Sequence, residues 1–301
     1  MTDAALRTEQ LTKHYGDVEA LNDLDLEVAM GEVFGFLGPN GAGKTTMIRT
    51  VLDLIHPTRG RAWILGMDTH AESVAIRNHI GYLPSDLAMY PRLTGRDTLR
   101  YFANLRGGVD WDYVDELAER LSADLSMKVG EYSSGNRQKV GLIQAFMNRP
   151  RLLVMDEPST GLDPLVQREF QQMVRTVAEE GRTVFLSSHT LSEVQRVADR
   201  VGVIRNGYLV EVSAVEDLRS RAIRHVEFTY RSTVEVDGLS SLDGVRDVAA
   251  TGNRVRLAFD GSMAELLAAA TRLGELIDVA SQEADLEEIF LSYYEGTEVE
   301  A

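Results

Sequence analysis

Residues 38–45, Gly-Pro-Asn-Gly-Ala-Gly-Lys-Thr, match the spacing G-x-x-x-x-G-K-[ST] at every required position. Glycine tolerates positive φ and lets the backbone come close to a ligand. Gly38, Pro39, Asn40, Gly41, Ala42 and Gly43 can therefore aim successive N–H groups into one concavity that holds phosphate oxygens. The chemistry predicted is nucleoside triphosphate binding. Lys44 reaches the β- and γ-phosphates, the Thr45 hydroxyl ligates Mg2+, and Thr46 donates to the α-phosphate. Lysine is scarce here, 4 of 31 basic residues, so a chance match runs against the composition. Two acids, Asp156 and Glu157, follow the apolar run Leu152–Met155. Asp156 is placed to hold Mg2+ through a hydroxyl or water, and Glu157 to polarise a water for attack on the γ-phosphate. His189 follows Thr-Val-Phe-Leu-Ser-Ser. Its imidazole could hydrogen-bond the γ-phosphate or hold the attacking water; the other five histidines read as structural or surface groups.

These residues need particular elements under them. Residues 33–38 (VFGFLG) read as a short buried strand entering the glycine loop, and 45–55 carry helical spacing leaving it. The helix start then adds its positive end to the phosphate site. Leu152–Asp156 and Thr183–Ser188 read as further buried strands, and open α/β sheets place ligands at the carboxyl ends of such strands. Strands are also expected at 61–66, 80–84 and 200–210, the last broken by the hairpin signal Asn206-Gly207. A helix is expected at 71–80, and residues 94–149 read as wholly helical, with segments near 95–106, 111–121 and 134–148. Beyond a seam near residue 222, EFTY and VRLAF read as strands. SMAELLAAATRL and DLEEIFLSYY read as helices.

Composition removes several classes of function. The 301 residues carry 31 Lys+Arg against 47 Asp+Glu, net −16. Non-specific nucleic-acid binding needs cations that displace counterions, so nucleic acid is not an expected partner. A basic patch docking by itself on anionic lipid is disfavoured for the same reason. The chain has no Cys, which excludes disulfides, thiolate metal sites and thiol nucleophiles. No run of about 18 apolar residues offers a membrane span, and the N-terminus lacks the apolar core of a signal peptide. Residues 216–301 hold 8 basic and 18 acidic residues, most of the negative balance. That excess reads as a solvated surface or as a contact face for a basic partner.

With these motifs placed, the chain resembles the nucleotide-binding subunit of ATP-binding-cassette transporters. Further residues fall in that family's order. Tyr15 matches the aromatic residue that stacks on adenine. Residues 132–138, Tyr-Ser-Ser-Gly-Asn-Arg-Gln, resemble the family signature, in which Ser133, Gly135 and Asn136 open a helix and face a γ-phosphate. Asp163, in Ser159-Thr160-Gly161-Leu162-Asp163-Pro164, matches the loop that contacts the opposing subunit's site. The resemblance covers residues 4 to about 220. It implies an α/β P-loop NTPase cassette (1–222) with a RecA-like core, an antiparallel β subdomain and a helical subdomain at about 86–150. A small α/β accessory domain (223–301) resembles the extension of drug- and antibiotic-exporting members.

The resemblance further implies ATP and Mg2+ as ligands. Two cassettes, copies or homologues, close head to tail so that the glycine loop of one and the signature of the other sandwich each ATP. Hydrolysis would drive a separate membrane permease from the cytoplasmic side of the membrane, through residues 94–149 and the Ser85–Leu93 loop, with Tyr90-Pro91 as an aromatic contact. Two positions depart from the family. Ser85 stands where a glutamine touches Mg2+, and it is too short for that contact without a bridging water. Ser134 stands where the signature has its first glycine, where it would crowd the phosphate or add a donor. Two other readings stay open at this point: a soluble cassette ATPase acting on nucleic acid or ribosomes, and a nucleotide-dependent regulator that does not hydrolyse. Chemistry alone does not separate export from import.

Overall fold

A computed structural model describes residues 4–221, 224–259 and 261–282. The expected helix DLEEIFLSYY lies outside the described residues. The chain divides into two compact units, residues 1–215 and 216–301.

The first unit opens with two twelve-residue strands, β1 (Ala4–Tyr15) and β2 (Val18–Ala29), paired antiparallel. Strand β3 (Val33–Leu37) leads through the glycine loop into helix α1 (Lys44–Val51). Then come β4 (Arg59–Ile64), the short β5 (Met67–Asp68), α2 (Ser73–Arg77) and β6 (Ile80–Leu83). Three helices follow: α3 (Gly95–Leu105), α4 (Trp111–Arg120) and α5 (Ser134–Phe146). The unit is completed by β7 (Leu152–Asp156), α6 (Pro164–Glu179), β8 (Thr183–Ser188), α7 (Leu191–Gln195), β9 (Arg200–Arg205) and β10 (Tyr208–Ala214).

Strands β1, β2, β4 and β5 form an antiparallel sheet in the order β2-β1-β4-β5. The central sheet runs β10-β9-β3-β8-β7-β6; it is parallel from β9 to β6, with β10 antiparallel at its edge. Every residue of β3, β7 and β8 is buried. Strands covered on both faces must read as continuous apolar runs, which is why these three segments are legible in sequence. Between them Phe34 and Phe185 stack 5.8 Å apart, and Phe36 leans on Phe185 at 5.6 Å.

Two expected helices are shorter than their periodicity suggests. The pattern at 45–55 ends in a Schellman turn: Asp53 adopts φ +53°, Asp53 N–H donates to the Thr50 carbonyl (3.1 Å), and Leu54 N–H donates to that of Arg49 (2.9 Å). The pattern at 71–80 contracts to Ser73–Arg77. The Asp68 carboxylate takes the N–H groups of His70 and Ala71, both at 3.0 Å, and so holds the approach in a turn.

The second unit begins at Glu216, the second residue of α8 (Val215–Arg221). It contains β11 (Arg224–Tyr230), α9 (Asp237–Ser240), β12 (Val245–Thr251), β13 (Arg254–Phe259), α10 (Met263–Leu273) and β14 (Leu276–Gln282). Its sheet is antiparallel, in the order β12-β13-β11-β14. One face is buried: Val226, Phe228, Tyr230, Leu257 and Phe259 pack with Leu266 and Ala270 of α10.

Candidate functional site

The glycine loop lies at the carboxyl end of β3 and starts α1. Gly43 is the helix N-cap at φ +113°, a conformation that a side chain would strain, and no side chain caps the helix. The first N–H groups of α1 therefore have no side-chain acceptor, the condition for an anion site. A Cβ on Gly38 would stand 2.4 Å from the Ile204 carbonyl oxygen, so the loop packs against β9 only because that position is bare. Lys44 is 6% exposed. Its ammonium group donates to the carbonyls of Gly38 (2.6 Å) and Pro39 (3.2 Å), and lies 3.2 Å from Glu157 Oε1. It thus bends over its own loop, with its charge in the concavity that the phosphates would fill.

Asp156 ends β7 fully buried. Burying a carboxylate is costly unless its oxygens are satisfied. Here Oδ2 accepts from Thr45 Oγ1 (2.7 Å) and Oδ1 from Ser187 Oγ (2.6 Å). A buried carboxylate whose oxygens meet hydroxyls, with one of those hydroxyls at a helix start, is the hard oxygen donor set that suits Mg2+. Thr45 and Asp156 are the residues that would hold it.

Glu157 takes φ +52°, a left-handed backbone uncommon for a residue with a side chain. Such strain persists only where the surroundings enforce it. Two contacts do so: Glu157 N–H donates to Ser187 Oγ (3.1 Å), and Gln138 Nε2 of α5 donates to the carbonyls of Pro158 (2.9 Å) and Glu157 (3.4 Å). The turn aims the carboxylate into the site, with Oε2 2.8 Å from His189 Nδ1. Oε1 has the Lys44 ammonium as its charge partner but lacks hydrogen-bond geometry to it.

The structure thus brings together Lys44, Thr45, Asp156, Glu157 and His189. It adds Ser187 and Gln138, which sequence reasoning missed. A serine inside the apolar run 183–188, in register opposite Asp156, was the available signal for Ser187. Gln138 had none beyond its place in the signature helix.

The remaining candidates make their contacts elsewhere. Tyr15 ends β1, is 49% exposed and has the Lys13 ammonium 5.0 Å over its ring. Ser133 caps α5, its Oγ accepting from Asn136 N–H at 3.1 Å. The Asn136 amide is tied to the Asp124 backbone by two hydrogen bonds of 3.0 Å. A Cβ on Gly135 would stand 2.8 Å from the Gly161 carbonyl oxygen, so the start of α5 packs against the loop after β7. Asp163 caps α6, accepting from Leu165 N–H (3.0 Å) and Val166 N–H (3.1 Å). The Val166 bond foremost holds its carboxyl below the usual aspartate range. Ser85 is exposed just beyond β6, and Thr46 is half-buried with its carbonyl taken by Thr50 Oγ1 (2.7 Å). Beside Ser85 opens a cavity of about 480 Å3, walled by Leu54, Tyr82, Leu87, Met89, Phe102 and Arg106. Tyr90 is exposed and packs edge-on against Tyr101 (5.6 Å).

Comparison with known proteins bears on this arrangement. Residues 21–160 match the family model described as ABC transporter. The chain is 33% identical to the bacitracin transport ATP-binding protein BcrA of Enterococcus faecalis, over 95% of this chain and 94% of that one. It is 38% identical to the daunorubicin resistance ATP-binding protein DrrA3 of Streptomyces coeruleorubidus, over 73% of this chain and 71% of the other. Among solved structures, it is similar to an ATP-binding subunit of an ABC transporter, with a TM-score of 0.65 and 30% identity, covering 71% of this chain and 92% of that one.

Proposed function

The chain belongs to the ATP-binding subunits of ABC transporters, and from that premise we propose that it hydrolyses ATP as one half of a head-to-tail pair that drives a separate permease. It is a nucleotide-binding ATPase of the drug- and antibiotic-exporter type. Among the described residues no helix is long and apolar enough to cross a membrane. We place the subunit on the cytoplasmic face, held there by the permease.

One observation carries the reading: the cluster of Lys44, Thr45, Asp156, Glu157 and His189 at the ends of β3, β7 and β8. Its geometry suggests an order of events. Arriving phosphates draw the Lys44 ammonium away from the Gly38 and Pro39 carbonyls, because a charge-assisted bond to phosphate is stronger than a bond to a neutral carbonyl. The same movement removes the cation beside Glu157 Oε1 and leaves that carboxylate free to accept a proton. Thr45 and Asp156 would hold Mg2+, which when bound neutralises charge on the phosphate oxygens. Because a carboxylate only accepts, the bond to Glu157 places a proton on His189 Nδ1. Nε2 of the neutral ring is then an acceptor, suited to hold the attacking water.

Ser133 Oγ spends an acceptor lone pair on Asn136, which leaves its O–H free to donate. In the paired assembly that O–H would reach the γ-phosphate bound by the other chain. Loss of the γ-phosphate removes this differential contact and lets the halves part. The cavity beside Ser85 and the exposed Tyr90 supply the surface we assign to the permease. The test is the Glu157→Gln variant with MgATP: nucleotide stays bound, dimers persist and turnover nearly stops. Unchanged turnover would remove Glu157 from its role.

A further inference from the structure

At the far end of α1 from the glycine loop, three groups with no part in ATP chemistry converge. The Nδ1 atoms of His56 and His70 lie 3.2 and 3.1 Å from the same oxygen, Oδ1 of Asp53. The candidate donor atoms of these three residues all lie within 4.8 Å of one another. We propose that Asp53, His56 and His70 form a binding site for one first-row transition-metal dication of the zinc class.

Four observations support the assignment. First, Asp53 sits where a Schellman turn ordinarily has glycine, at φ +53° with a side chain. Asp is tolerated there but is not the residue the turn asks for. Second, Asp53 directly follows the C-cap of α1, at the negative end of the helix, where an anion is disfavoured and a cation welcome. Third, the side chain is only 12% exposed, whereas the two imidazoles are 71% and 72% exposed; the carboxylate forms the floor of an open site with the rings as its rim. The rings meet edge to face, 4.9 Å between centroids, and both Nδ1 atoms approach the same carboxylate oxygen. Fourth, the distances suit the ion. With metal–ligand bonds of about 2.0–2.2 Å, a tetrahedral site has ligand–ligand edges of roughly 3.3–3.6 Å. The two Asp–His edges are already within a few tenths of an ångström of that value.

The donor set chooses the metal class. Two imidazoles and a carboxylate suit zinc, copper or nickel, whereas Mg2+ and Ca2+ take oxygen. The site opens into a cavity of about 560 Å3 shared with Asp68 and Arg61, whose charges offset each other. Asp68 also fixes the approach to His70 by accepting its backbone N–H. A bound ion would tie the end of α1 to the loop after β5 and would leave at least one position to water.

The test uses the untagged full chain, stripped of metal and free of nucleotide, titrated with Zn2+ against a chromophoric chelator. One Zn2+ per chain is expected to bind, unaffected by millimolar Mg2+. Affinity should fall about tenfold or more in each of His70→Ala and Asp53→Asn. Asn keeps the left-handed turn and His70 is exposed, so both variants retain the fold, as circular dichroism will show. Co2+ in place of Zn2+ should give visible absorption bands of a low-symmetry nitrogen and oxygen site, absent in His70→Ala. Equal Zn2+ affinity in wild type and both variants would overturn the proposal, as would the absence of stoichiometric binding. In either case the histidines serve only as hydrogen-bond partners of Asp53.

Discussion

Two helix starts in this molecule are set for anions in opposite ways. Helix α1 begins at a glycine with no side-chain cap, and its own Lys44 bends into the open concavity. Helix α5 begins at Ser133, which already satisfies an N–H of its own first turn. The first is an unfinished site that a phosphate completes within one chain. The second is stable as it stands and has only a hydroxyl proton to offer. On the function proposed above, one helix start binds nucleotide and the other senses it, so affinity should follow the first and association the second. Gln138, on α5 and bonded to the Pro158 carbonyl, joins the sensing helix to the Glu157 turn.

Substitutions can break or sharpen this contrast. The largest expected effect is on turnover. Glu157→Gln removes the proposed base, and steady-state phosphate release should fall about 10²- to 10⁴-fold while nucleotide titration shows affinity retained. Lys44→Ala should weaken MgATP binding by roughly two orders of magnitude, read with a fluorescent analogue, because charge-assisted bonds to phosphate are lost. Ser187→Ala strips a donor from buried Asp156 and an acceptor from Glu157 N–H. A loss of about 1–3 kcal/mol of stability by denaturant unfolding is expected, with a larger effect on turnover than on affinity.

The smallest effect is a pH dependence at the cap of α6. Hydrogen bonds from Val166 and Leu165 lower the Asp163 carboxyl pKa in the folded chain. A depressed acid stabilises the fold above its unfolded pKa, and that contribution disappears as pH falls through the folded value. The difference in Tm between wild type and Asp163→Ala should be constant near neutrality and shrink below about pH 4. Between Asp163→Asn, which still caps but does not titrate, and Asp163→Ala the difference in Tm should stay constant over the same range.

What sequence revealed follows the same division. Leu152–Asp156 and Thr183–Ser188 are legible to the residue because buried parallel strands leave no room for polar interruption. Strands β1 and β2 are not legible in the same way. Their alternation is broken by several register shifts and by Gln10 and Asp23 at positive φ. In the site, residue types and spacing disclosed Lys44, Thr45, Asp156, Glu157 and His189. The left-handed backbone of Glu157, its pairing with Lys44 and the double duty of Ser187 depend on neighbours some 30 to 110 residues away. No local pattern encodes such contacts. The roles assigned to Ser133 and Asp163 toward a second chain rest on the family pattern, and each side chain here serves its own helix.

The split between binding and sensing is tested most directly by light-scattering mass of Glu157→Gln with MgATP, with and without Ser133→Asp. Aspartate caps a helix as well as serine does, so α5 is preserved while its free proton is replaced by negative charge. The account predicts a dimer for Glu157→Gln and an ATP-loaded monomer for the double variant. Equal dimerisation of the two, or a monomer in both with ATP bound, would contradict it.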